Sequence, residues 1–208
     1  MSTIRGLRCK PGFPLSHILQ KWIRLNKSIA EAWSDDGDVP WWYNERAAIS
    51  IFSGAVWKSG YQALEEFVDE KRKVAKKSGK FSRKYSGRVD LFLNIEGQDF
   101  IAEAKQCWSG ASSEGADSLM RITKCLQRAC SDIRKSRPHG QRRVALLFVV
   151  PYIRRSHIRS IDQRIQNWIK KVQSLECDAS AWVFPACARR TKWEDYYCPG
   201  TAVFVKEV

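Results

Sequence analysis

Residues 87–105 read GRVDLFLNIEGQDFIAEAK, two short apolar runs around a polar turn, and the fold hangs on how they pair. Strand residues alternate between faces, so one surface collects Leu91, Leu93, Ile95, Phe100, Ala102 and Ala104, all suited to a core. The opposite surface carries Asp90, Asn94, Glu103 and Lys105. A symmetric hairpin about the turn Glu96-Gly97-Gln98-Asp99 places Phe92 opposite Glu103 and Asp90 opposite Lys105. Directly opposed β-carbons lie about 5 Å apart and diagonal ones roughly 7–8 Å. Asp90, Glu103 and Lys105 are therefore expected to form one charged cluster within reach of a shared ion.

Upstream of the hairpin, Asn44 can cap a helix whose first turn holds Glu45 and whose apolar positions are Ala48, Ile51, Phe52, Ala55 and Val56. Lys58-Ser59-Gly60 ends it, and YQALEEFVDEKR (61–72) alternates as a first strand. Were 61–70 to continue the helix, Glu65 or Glu66 would rival Glu45. An earlier amphipathic helix is predicted over 14–34, and Trp41-Trp42 is expected to pack against the Glu45 helix. Downstream, 109–118 reads as a connector and 117–137 as a helix with Leu119, Ile122, Leu126, Ala129 and Ile133 on one face. RVALLFVV (143–150) is apolar on both faces and predicts a central buried strand. A helix through Ile158, Ile161, Ile165, Trp168 and Val172 and two strands, 181–184 and 201–208, complete the chain. The expected architecture is one α/β domain over 1–208 with a mixed central sheet. It divides into an N-terminal helical extension (1–40), a core (44–150) and a C-terminal helix with strands (151–208).

A net charge of +14 on 208 residues calls for a polyanionic partner, DNA first. Half of residues 71–88 are Lys or Arg, which predicts a long loop whose Lys76, Lys77, Lys80, Arg83, Lys84 and Arg88 grip phosphates beside Phe81 and Tyr85. Arg154, Arg155 and Arg159, or Arg189 and Arg190, offer a second path. The N-terminus lacks a continuous apolar segment, and VALLFVVPYI (144–153) is too short to span a bilayer, so no membrane partner is expected. Seven cysteines without a C-x-x-C pair read as reduced thiols of a cytoplasmic protein. The spacing of Cys177, Cys187 and Cys198 matches no zinc pattern.

The order helix, three strands, helix, strand, with Asp90 on one strand and Glu103-Ala104-Lys105 on the next, resembles the PD-(D/E)xK nuclease superfamily, the restriction-endonuclease-like fold. The resemblance spans about 44–150, and Val89 stands where the family name has proline. It implies a Mg²⁺-dependent DNA nuclease, an endonuclease of defence and restriction, repair or recombination, with Mn²⁺ able to substitute. Asp90 and Glu103 would be metal ligands together with the Ala104 carbonyl, and Glu45 would hold a second ion or a water. Lys105 would orient the attacking water or stabilise developing charge. A homodimer or a larger complex is compatible with it. Two other readings stay open: a non-cleaving nucleic-acid-binding module of the same fold, and an RNA-directed nuclease or nuclease subunit.

Overall fold

The amphipathic segments fold as four helices among the described residues: α1 (Ser16–Ala32), α2 (Glu45–Trp57), α3 (Asp117–Ile133) and α4 (Ile161–Val172). The computed structural model describes residues 2–74, 81–111, 117–136 and 140–208, with backbone only at 69–70, 72–74, 81–85 and 117. The strands are β1 (Ile4–Cys9), β2 (Gln62–Val74), β3 (Phe81–Ile95), β4 (Gln98–Gly110), β5 (Arg142–Arg154), β6 (Ala179–Phe184), β7 (Lys192–Trp193), β8 (Tyr196–Tyr197) and β9 (Thr201–Glu207). They form an open sheet in the order β1-β6-β9-β5-β4-β3-β2, and the short β7–β8 ribbon attaches to the end of β5. The sheet is mixed, because β4 and β5 run parallel while the other neighbours run antiparallel.

Helices cover both faces. Trp22 and Ile23 of α1 and Phe52 and Val56 of α2 pack on Leu91, Leu93, Phe100, Ala102, Leu146 and Val203. Ile122, Leu126 and Ile133 of α3 and Ile165 and Trp168 of α4 pack on the alternate residues Ile101, Cys107, Leu147 and Phe204. β5 supplies both layers, as an all-apolar central strand must. The expected α/β architecture with a mixed central sheet is observed, and among the described residues no helix is long and apolar enough to cross a membrane.

Four expectations are corrected. First, the β3–β4 hairpin turns on two residues, Glu96 (φ 53°) and Gly97 (φ 75°), so Ile95 pairs with Gln98 and Leu91 with Ala102. Positive φ at both turn residues is the primed, type I′ geometry, whose twist matches that of the flanking strands. The faces survive this shift of two residues, but Asp90 no longer stands opposite Lys105. Second, residues 71–88 are not one loop: Lys71–Val74 and Phe81–Gly87 are paired strand, extending a long β2–β3 hairpin. Third, Ser109 and Gly110 belong to β4, paired with Pro151 and Tyr152, rather than to a connector. Fourth, the N-terminal extension is more than helical, because β1 pairs with β6 at the far edge of the sheet.

The β2–β3 ladder has one irregularity that matters for the site. It skips Glu66, which has φ 51°. On one side of that step Ala63 and Leu91 face the α1/α2 layer; on the other, Phe67 and Val89 face the α3/α4 layer. Asp90 sits at the step.

Candidate active site

β3 and β4 stay paired only as far as Leu91 and Ala102, while β4 remains parallel-paired with β5 through Gly110. Beyond Ala102 the edge of β4 that faced β3 is therefore open. An unsatisfied backbone N–H costs roughly 1–3 kcal/mol, so these groups need partners. Carboxylates supply them. The Ala104 N–H donates to Asp90 Oδ2 at 2.8 Å, and the Gln106 N–H donates to Glu45 Oε2 at 2.9 Å. Glu45 reaches this edge from the first turn of α2, where the Asn44 side chain accepts from the Ala47 N–H at 3.0 Å and caps the helix. The Gln106 amide donates to the Trp41 carbonyl at 2.9 Å and ties the segment before α2 to β4.

Glu103 and Lys105 project from β4 toward α3. Glu103 is 4% exposed, and its Oε1 meets Lys71 Nζ at 2.5 Å. Burial pushes its carboxyl up to about 7; Lys71 opposes that rise and the charge of Asp90 adds to it. Lys105 Nζ donates to the Ala104 carbonyl at 2.8 Å and lies 3.5 Å from Asp132 Oδ2 and 3.9 Å from Glu45 Oε1. Burial also raises the Glu45 carboxyl, with Lys105 pulling the other way and Asp90 and Asp132 contributing to the rise. Burial works against the charge of Asp132 as well, yet Lys135 at 2.6 Å and Lys105 hold its carboxyl below the usual range.

The structure thus brings Glu45, Asp90, Glu103 and Lys105 together at one fork in the sheet. Glu65 accepts from the Ser50 hydroxyl at 3.1 Å, and Glu66 pairs with Arg46 and Arg88, so both are engaged elsewhere. Two members of the cluster were not anticipated. Asp132 lies on the α3 stripe that also carries Arg121 and Arg128, a spacing visible in the sequence. Lys71 gave no signal beyond being one cation in a basic run. Among the expected phosphate contacts, Lys76, Lys77 and Lys80 lie outside the described residues. Arg83 and Lys84 are on β3 with backbone only, and Arg88 is exposed and bonded to Glu66. Arg189 is corrected as a nucleic-acid contact: it is 1% exposed and holds Asp162, the Phe184 carbonyl and the Ser2 carbonyl. Trp41 is buried with its indole N–H on the Cys198 carbonyl at 3.1 Å, in a cluster separate from the α2 core.

Among the described residues no three His, Cys, Asp or Glu side chains converge closely enough to hold a metal ion in this arrangement. The donor set is nonetheless of the kind a hard divalent cation takes: carboxylate oxygens of Asp90, Glu103 and Glu45 beside the Ala104 carbonyl. Burial is the main cause of the raised carboxyls of Glu103 and Glu45, and the neighbouring cations, Lys71 and Lys105, work against it. Comparison with known proteins finds no matching family model, no matching curated relative and no matching solved structure.

Proposed function

We propose that the fork between β3 and β4 is the centre of a Mg²⁺-dependent nuclease acting on DNA, most simply an endonuclease. The observation that carries this reading is the meeting of Asp90, Glu103, Lys105 and Glu45, from two strands and a helix, at the place where sheet pairing opens. The helix, three-strand, helix, strand order around it keeps the likeness to the PD-(D/E)xK superfamily alive as a proposal. Asp90, Glu103 and the Ala104 carbonyl would hold the ion, with Glu45 beside them. When bound, the ion supplies Lewis acidity at the phosphate. The chain's own residues do the rest. Lys105, steadied by Asp132 and the Ala104 carbonyl, presents an amine to the phosphate or to an attacking water. Lys71 balances Glu103 in its buried setting.

One observation favours a second reading, a binding module that does not cut: Asp90, Glu45 and Glu103 each already have a protein partner. Isosteric amides separate the two. Asn at position 90 and Gln at position 103 keep hydrogen-bonding capacity but lose the charge. In calorimetric titration with Mg²⁺, the wild-type protein is expected to bind, and Asp90→Asn and Glu103→Gln to lose that binding while remaining folded. Equal Mg²⁺ affinity in wild type and Asp90→Asn, or none in wild type, contradicts the metal-dependent reading.

A further inference from the structure

Beyond Lys105 the β4 strand continues through Gln106 and Cys107 to Trp108, whose ring forms one wall of a cleft of about 650 Å³. Trp42, Tyr152, Trp193 and Tyr196 form further walls, Tyr43, Asn44 and the acidic Glu194 also line it, and Arg121 of α3 stands at its edge. The rings meet at steep angles. Trp193 lies 5.3 Å from Trp42 at 62° and 6.0 Å from Trp108 at 52°, and Tyr152 lies 5.0 Å from Tyr196 at 78°. The rings are thus held by one another's edges rather than buried in a core: Trp42, Trp108, Tyr152 and Tyr196 are each partly exposed, and Trp193 is 43% exposed. The lining contains no Leu, Ile or Val, the residues an apolar peptide would meet; it is aromatic and polar.

A second groove of about 450 Å³ adjoins this cleft, sharing Trp108 and Arg121 with it. Its floor is Gln106 and Cys107 of β4, and its rim is Arg121, Lys124 and Arg128. These three exposed cations recur at helical spacing on one stripe of α3, and Asp132, the partner of Lys105, closes the same stripe. Among the described residues no carboxylate is paired with any of the three. A row of cations therefore leads from the catalytic fork to a box of aromatic rings, over a distance of about 10 Å along β4 from Lys105 to Trp108.

We infer that the aromatic cleft is a base-stacking subsite for an unpaired nucleotide, and that Arg121, Lys124 and Arg128 guide the phosphates of the same strand to the fork. The inference deepens the nuclease reading and rests on it for the identity of the polyanion. Bases stack on Trp and Tyr faces without regard to sequence, whereas a base held in a duplex must first leave its stack to enter a concave site. The substrate class is accordingly a single-stranded or frayed nucleic acid rather than an intact duplex.

The test measures binding alone, with the wild-type protein in EDTA, so the outcome does not depend on cleavage. Labelled oligothymidylate, oligouridylate and a blunt duplex of equal length are titrated by fluorescence anisotropy. Both single strands are expected to bind more tightly than the duplex, and the ratio between them assigns the sugar. Trp193→Ala is expected to weaken single-strand binding roughly five- to hundredfold and leave duplex binding unchanged, with Trp193→Phe restoring most of the loss. Trp193 lies on a two-residue strand and belongs to neither sheet core, so its truncation leaves both cores untouched. Equal affinity for single strand and duplex, or single-strand binding indifferent to Trp193→Ala, overturns the subsite. A protein that binds single strands as described but never cuts would sink the nuclease reading and leave the subsite standing.

Discussion

Glu103 concentrates the energetics of the fork. Its carboxyl is buried between a like charge, Asp90, and a cation, Lys71, and the balance leaves it titrating at about 7. The folded state therefore holds a proton that the unfolded chain has already lost over the interval from about 4.5 to about 7. Stability falls as pH rises through that interval, by up to about 1.4 kcal/mol per pH unit from this one group. Glu103→Gln removes the slope. Urea melts near pH 5 and near pH 8 are expected to show wild type losing stability relative to Glu103→Gln at the higher pH. The raised carboxyl of Glu45 acts in the same direction in both proteins, so the difference between them isolates Glu103. Identical pH dependence in the two proteins would mean that Glu103 is not the buried, proton-holding group described. Because a metal ligand must give up its proton, Mg²⁺ affinity is expected to rise over the same interval.

At the scale of elements, the fork depends on how α2 begins. Asn44 caps the helix and sets the first turn from which Glu45 reaches β4. Asn44→Ala should cost about 1 kcal/mol in denaturant unfolding. It should lower cleavage by more than that loss of stability explains, and Asn44→Asp should restore both; a variant with full activity would detach Glu45 from the mechanism. This cap and the apolar periods of the helices were legible in the sequence, because amphipathic spacing survives whatever the tertiary context. The core face of the β3–β4 hairpin was legible for the same reason. The register was not, because the turn puts Glu96, a residue without turn preference, at positive φ. Nor was β1: its sequence, IRGLRC, gives no clean alternation, and its Gly6 is fixed by a tertiary contact, since a β-carbon there would fall 2.2 Å from the Trp182 ring. Lys71 and Asp132 were missed because each becomes part of the site only through long-range packing, of β2 beside β3 and of α3 on β4.

Across the whole molecule, two helical layers enclose a mixed sheet, and acidic groups gather at one fork in a chain whose net charge is +14. A strongly basic protein has no general need to cluster carboxylates beside a buried Glu. A phosphodiester-cleaving centre does, because a polyanion must be drawn in by the surface and met by a cation held on oxygen ligands. The cationic stripe of α3 and the acidic fork are neighbours for that reason in the proposed account. Its central claim is tested most directly by incubating purified protein with circular single-stranded DNA, in Mg²⁺ or in EDTA, beside Lys105→Ala. Lys105 is partly exposed and bonded to the rim of the fork rather than packed in either core, so its truncation should leave the fold intact. The account predicts linearisation of the circle by wild type in Mg²⁺, none in EDTA, and none by a folded Lys105→Ala that still binds DNA. Cleavage by Lys105→Ala at the wild-type rate, or an intact circle with wild type in Mg²⁺, would contradict it.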